Sequence, residues 1–358
     1  MYIERIRVSN FRNIDYAEIE LTPDVVLISG PNGHGKTSLI EAIAYISRTK
    51  SFRTSKSEEL IKLGCQEAFV SIDIRDLVGP INLSSIIYPR KRLFRINEKD
   101  SAVTANIIGK LITIIFSPQD LNLITGSPEL RRSFIDRHLV DIFPQSLSYL
   151  VNYQKALKHK QKVLKDFGSV TPQEIEPWNV ILAKNGSKIT EFRDKFIGLL
   201  NSLVTKFYSD FSSDDQIASL SFNTKDYNFD EEGLFKKLQM SVQQEIASQR
   251  ALIGPHKDDL VYMLSAKNSQ RYASQGQVRS LVLATKLGVV EMIESVRGDS
   301  PVILLDDVAS ELDIFRRHKF IDLLRDKPRQ VLITGTELDE VKHLGRELSV
   351  LNGSFSWR

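Results

Sequence analysis

Gly30-Pro31-Asn32-Gly33-His34-Gly35-Lys36-Thr37 fits the pattern G-x-x-x-x-G-K-[ST] in full. At ordinary glycine usage of roughly 7%, a chance match in a chain of this length is on the order of one in a hundred. The spacing has a chemical reason. Glycines let successive backbone N–H groups curl around phosphate without Cβ clashes, and the helix N-terminus that follows adds partial positive charge. Lys36 is placed to neutralise β- and γ-phosphates, and the Thr37 hydroxyl to ligate Mg²⁺. Such a metal also needs a carboxylate at the end of a buried strand, and Pro301-Val302-Ile303-Leu304-Leu305-Asp306-Asp307 ends four apolar residues in two acids. Asp306 is the expected Mg²⁺ partner, through water because Mg²⁺ sheds its hydration reluctantly, and Asp307 is expected to orient or deprotonate an attacking water.

These residues need particular elements to hold them. Tyr2 to Val8 and Val25 to Ser29 read as strands, and Leu39, Ile40, Ile43 and Ile46 as the buried face of a helix after the glycine loop. Ala68 to Ile74, Ile81 to Tyr88 and Leu111 to Phe116 read as further strands, a β-rich flank. From about Ser127 to Lys237 the period becomes helical, and strand patterns return at Leu260 to Leu264, Val302 to Leu305 and Val331 to Thr334. The two phosphate-site motifs stand about 270 residues apart, which implies a large insertion. The expected fold is α/β: a head built from both ends of the chain, residues 1–120 and 246–358, with a helical arm, 121–245, inserted between. No repeat, low-complexity tract or Pro/Gly-rich linker marks these edges.

Ser274-Gln275-Gly276-Gln277 opens the helical run Val278, Leu281, Val282, Val289 and Ile293. It reads both as a capping box, Ser274 at N-cap and Gln277 at N3, and as a signature loop resembling that of ABC-type ATPase heads; the two are compatible. In such heads this helix N-terminus faces the γ-phosphate on the opposite protomer, so Ser274 and Gly276 would complete the partner's site. Gln119, in Phe116-Ser117-Pro118-Gln119-Asp120, stands where the glutamine loop of these heads meets catalysis and metal. Ser310-Glu311-Leu312-Asp313 follows the acidic strand as a D-loop does. The strand Val331 to Thr334 ends near Thr336 without the switch histidine found in transporters, so Thr334 or Thr336 could take part of that role.

Asn10-Phe11-Arg12-Asn13, Ser51-Phe52-Arg53, Ser117-Pro118, Arg131-Arg132-Ser133-Phe134-Ile135-Asp136, Gly254-Pro255-His256-Lys257-Asp258-Asp259 and Asp306 to Asp313 resemble motifs of the bacterial RecF family, end to end. Lys257 stands where the family usually has arginine, which keeps the charge but loses a planar bidentate contact. The resemblance implies an ATP-dependent homodimer with weak, DNA-stimulated hydrolysis. Such a protein binds single-stranded, duplex or junction DNA, works with RecR and RecO to load recombinase at gaps, and is linked to the SOS response. In some related heads an arginine at the position of Arg12 reaches the nucleotide; Phe11 to Asn13 otherwise reads as a turn.

Net charge is +3, too mild to argue for a polyanionic partner without clustering. Lys155, Lys158, Lys162 and Lys165 supply such a cluster: spaced 3, 4 and 3, they form one stripe on a helix, opposite Leu150, Tyr153, Leu157 and Leu164. The stripe suits phosphate contact and equally suits a solvated face. Arg90-Lys91-Arg92 is a second candidate, also open to both readings. His256 has no second histidine or cysteine at metal-ligand spacing, so a structural hydrogen bond competes with catalysis. Cys65 stands alone, excluding an internal disulfide and a cysteine-based zinc site. Apolar runs of about six residues exclude a membrane span, and a cytoplasmic location is expected. A DNA clamp with structural nucleotide and a small-molecule kinase are the competing function classes; the Ser274 to Gln277 loop argues against the kinase.

Overall fold

The computed structural model describes residues 1–101, 106–165, 170–212, 214–224, 230–307, 314–336 and 339–358. They form two compact units, Met1–Asp120 with Ile293–Arg358, and Leu121–Met292.

The first unit holds two six-stranded sheets. One contains β3 (Val25–Ser29), β8 (Thr113–Phe116), β12 (Val302–Asp306), β13 (Val331–Gly335), β14 (Arg346–Leu351) and β15 (Ser354–Trp357), in the order β15-β14-β3-β13-β12-β8. All pairings but β14 with β15 are parallel. Every residue of β8, β12 and β13 is buried, as expected of parallel strands covered on both faces. The strand read at Leu111 to Phe116 starts two residues later in the structure.

The other sheet is an antiparallel meander of β1 (Tyr2–Phe11), β2 (Ile14–Glu20), β4 (Ala68–Arg75), β5 (Pro80–Ile87), β6 (Arg92–Ile96) and β7 (Lys99–Ser101). Helix α1 (Lys36–Arg48) shares a core with both sheets, in which Ile40, Ile43, Tyr45 and Ile46 meet Ile6, Phe11, Leu83 and Val302. Helix α10 (Ile314–Arg325) adds Phe320 against Phe116, ring centroids 4.9 Å apart. The Ser310 to Asp313 segment lies outside the described residues.

The second unit carries α2 (Asn122–Thr125), α3 (Pro128–Ile142), α4 (Ser146–Leu164), the 40-residue α5 (Pro172–Phe211), α6 (Glu231–Met240), α7 (Val242–Ser248), α8 (Ser269–Tyr272) and most of α9 (Gln275–Arg297). Thr171 and Glu174 close a full capping box at the start of α5. Helices α4, α5 and α6 enclose Tyr153, Leu157, Leu182, Ile189 and Leu234.

This unit is not wholly helical. It includes β9 (Ala218–Asn223), β10 (Asp259–Leu264) and β11 (Lys267–Asn268), with β9 and β10 antiparallel from Asp259↔Asn223 to Leu264↔Ala218. That pairing draws residues 246–292, which the sequence pattern assigns to the C-terminal head segment, into the second unit. No described helix is long and apolar enough to cross a membrane.

Candidate nucleotide site

Strand β3 delivers the chain to the glycine loop, and α1 receives it at Lys36. Gly30, Gly33 and Gly35 have φ of 146°, 80° and 114°, in the region that favours glycine. A Cβ at Gly30 would lie 2.3 Å from the Val350 carbonyl oxygen on β14, so that position also requires closeness.

The Lys36 ammonium is 8% exposed and donates to the Gly30 and Pro31 carbonyl oxygens at 2.6 and 3.0 Å. Burial holds its pKa below the usual lysine value, against the opposing charges of Asp307 and Asp306. The Thr37 hydroxyl donates to Asp306 Oδ1 at 2.8 Å, joining residues 269 positions apart. The Thr334 hydroxyl donates to the same oxygen at 3.0 Å and accepts from the Asp307 N–H at 3.0 Å. Asp306 is buried, which raises its carboxyl pKa, with the Thr37 and Thr334 hydrogen bonds opposing the rise. Asp307 is exposed, with φ of 54°, so the backbone turns sharply where the strand ends. Of the two threonines, Thr334 is buried against the acids and Thr336 is exposed.

The chemistry of this donor set fits Mg²⁺: a hydroxyl and a carboxylate, both hard oxygens, stand side by side beneath the phosphate loop. Gln119 lies exposed in the short turn Pro118–Leu121, beyond the C-terminal end of β8, the strand paired with β12.

Several contributors escaped the sequence reading. Asn13 donates through Nδ2 to the Gly33 carbonyl and accepts from the Ser38 hydroxyl, both at 2.7 Å, bracing the loop from the β1–β2 turn. At the other end of the chain, the backbone N–H groups of Asn352 and Gly353 donate to Nδ1 and the carbonyl of His34, each at 3.0 Å. Glu41, one turn beyond Thr37, is fully buried. It accepts both arms of the Arg12 guanidinium at 2.9 and 2.7 Å, the Ser51 hydroxyl at 2.5 Å and Arg53 at 3.2 Å. Arg12, expected near nucleotide, is thus engaged by Glu41 and by the Glu59 carbonyl at 2.6 Å. The positive charge of Arg53 favours ionisation of Asp306. The signal for Glu41 was an acid set among the apolar positions of α1.

Within the second unit, the Ser274 N–H donates to Gln277 Oε1 at 2.8 Å, and the Gln277 N–H to Ser274 Oγ at 3.3 Å, the reciprocal pair of a capping box. Gln277 Nε2 also donates to Asp214 at 2.9 Å, so the turn holding Ser274 and Gly276 is fixed by the segment after α5. Lys155, Lys158, Lys162 and Lys165 are all exposed. In the first unit Arg90 and Lys91 are exposed at the β5–β6 turn, and Arg92 donates to the Thr49 carbonyl after α1 at 3.0 Å. His256 Nδ1 accepts from the Tyr153 hydroxyl at 2.7 Å, and burial lowers its pKa to about 4, which fits the structural reading.

The motif Arg131 to Asp136 pairs with Gly254 to Asp259, directly and through Arg193 of α5. Arg131 meets Asp259 through two bonds of 2.7 and 2.9 Å, and Arg132 donates to the Asp258 carbonyl at 2.7 Å. Arg193 grips Asp136 through bonds of 2.8 and 2.9 Å and donates to the Pro255 carbonyl at 2.7 Å.

A parallel sheet whose β3 feeds a phosphate loop, with an acid-ended strand bonded to that loop and an antiparallel sheet on the same core, defines a P-loop ATPase head of the ABC type. The chain belongs to the RecF family: the model described as RecF/RecN/SMC N terminal domain matches residues 2–352, and the DNA replication and repair protein RecF of Streptococcus uberis is 33% identical over 96% of this chain and 95% of its own. Among solved structures, the recombination mediator protein RecF-ATP of the RecFOR pathway superposes with a TM-score of 0.92 at 28% identity, covering 100% of this chain and 97% of that one. An Smc head bound to the C-winged helix domain of ScpA shares the fold, with a TM-score of 0.61 at 14% identity over 100% and 97% of the two chains.

Proposed function

We propose that the protein is an ATP-dependent DNA-binding factor of recombinational repair and replication restart, which pairs with a second copy when ATP is bound. The observation that carries this reading is the 2.8 Å bond between Thr37 and Asp306, which unites two half-motifs in one phosphate site. Lys36 would exchange its loop carbonyls for the β- and γ-phosphates, and Thr37 and Asp306 would hold Mg²⁺. Bound there, Mg²⁺ would neutralise charge on the phosphate oxygens. Gln119 and Asp307 would orient the attacking water, and Ser274 with Gly276 would cap the γ-phosphate held by the partner copy.

ATP then gains contacts only in the pair, and such differential binding shifts the population toward the dimer. Weak hydrolysis resets it. The lysines of α4 and the Arg90 to Arg92 turn supply phosphate contacts that position DNA without reading its bases. Work alongside RecO and RecR in loading recombinase at gaps, and a link to the SOS response, follow from the family to which the chain belongs.

The test is DNA affinity with ATP, with ADP and without nucleotide, at two salt concentrations. The reading predicts tighter binding with ATP and a steep loss with salt; equal affinity in all three nucleotide states would overturn it.

A further inference from the structure

Lys155, Lys158, Lys162 and Lys165 are exposed, and among the described residues none has a carboxylate at ion-pair distance. At a rise of about 1.5 Å per residue the row extends over roughly 15 Å. Lys158, Lys162 and Lys165, with Gln161, line a surface depression of ≈ 500 Å³. A row of cations alone would serve any polyanion, and a solvated helix face would look the same.

A second feature on this surface selects among these. His159 is exposed, yet its ring lies on that of Trp178 of α5, with centroids 4.9 Å apart and planes 6° apart. Trp178 packs on the core of the unit, so it holds the imidazole in a fixed plane. The stack covers one face of His159, and the residue nonetheless remains exposed. On the helix His159 is four residues from Lys155 and three from Lys162, hence a surface neighbour of both. The result is a flat ring set at the margin of a cationic row.

We propose that this part of α4 is a site for single-stranded nucleic acid, with phosphates on the lysine row and one unpaired base stacked on the face of His159 opposite Trp178. Every base has a π-face, so the contact is tolerant of sequence. In a duplex the bases are stacked on one another, and only the lysines can be used. The inference rests on the DNA-binding reading above and assigns the strand form at that same helix.

The experiment is anisotropy titration of the full chain with a labelled oligo-dT and with a duplex of equal length, at two salt concentrations. His159→Ala is expected to lower single-strand affinity about tenfold, the size of one base–aromatic stack, leave duplex affinity within about twofold, and be rescued by His159→Phe. Changing the four lysines to glutamine is expected to weaken both forms and reduce the single-strand salt slope by about 3, at roughly 0.7 per phosphate. In a Trp357→Phe background, Trp178 emission is expected to change with oligo-dT and not with duplex. If the lysine variant loses both forms while His159→Ala changes neither, or both equally, the stacking proposal is overturned and the phosphate reading stands. If the lysine variant binds both forms as the parent does, the DNA reading of α4 itself fails.

Discussion

Lys36 and Lys160 are both buried, and burial lowers the pKa of each, but their surroundings differ in kind. Lys160 points from α4 into the second unit and meets Glu245 of α7 at 2.6 Å, with neither side chain exposed. Glu245 also accepts from the Leu252 N–H at 2.7 Å. Lys36 has two carbonyl oxygens and, among the described residues, no carboxylate at ion-pair distance. A charge kept out of water whose direct contacts are only dipoles can still take up an anion, whereas a charge paired at close range with a buried carboxylate is already countered. On the proposed function the first lysine serves the phosphate site and the second the architecture.

Four changes break or sharpen this contrast. Lys160→Met strands a buried carboxylate and is expected to cost about 3 to 5 kcal/mol of stability, read as a shift in urea midpoint, with Lys160→Met/Glu245→Leu recovering most of it. Lys36→Ala should leave that midpoint nearly unchanged and weaken ATP binding about a hundredfold, the size of a charged contact of roughly 3 kcal/mol. Titration calorimetry checks this, and a large stability loss without an affinity loss would reverse the assignment.

Asp307→Asn leaves Lys36, Thr37 and Asp306 in place and removes only the group proposed to activate water, so binding and ATP-driven pairing persist while hydrolysis slows, by about a hundredfold. Single-turnover phosphate release measures that split. The smallest effect lies beside Lys160, whose charge helps depress His256. His256 has a folded pKa of about 4 against an ordinary 6.5, so its contribution is complete above about pH 6.5 and is lost as pH falls toward 4. Stability should fall by about 1 kcal/mol between pH 6.5 and 5.5 from this group, and His256→Gln should flatten that part of the curve.

Lys160 also shows what a sequence conceals. It sits in the run Lys158-His159-Lys160-Gln161-Lys162, where composition gives no hint that one lysine is buried. Its place three residues after Leu157 and four before Leu164 was the available signal, since those residues mark the buried face of α4. The glycine loop and Asp306 were legible because local spacing dictates their chemistry. Asn13, Glu41 and the Asn352–Gly353 turn were not, because each acts through a partner from another part of the chain, for Glu41 an arginine in the β1–β2 turn. The small sheet in the second unit was hidden for the same reason: β9 makes sense as a strand only beside β10.

The central claim is that the phosphate site of one copy is finished by Ser274 of another. Mixing Lys36→Ala protein with Ser274→Ala protein tests it directly. Random pairing makes half the dimers mixed, each with one intact composite site, so ATP turnover should recover to about a quarter of the parent value. Turnover no greater than the sum of the two variants measured separately would contradict the account.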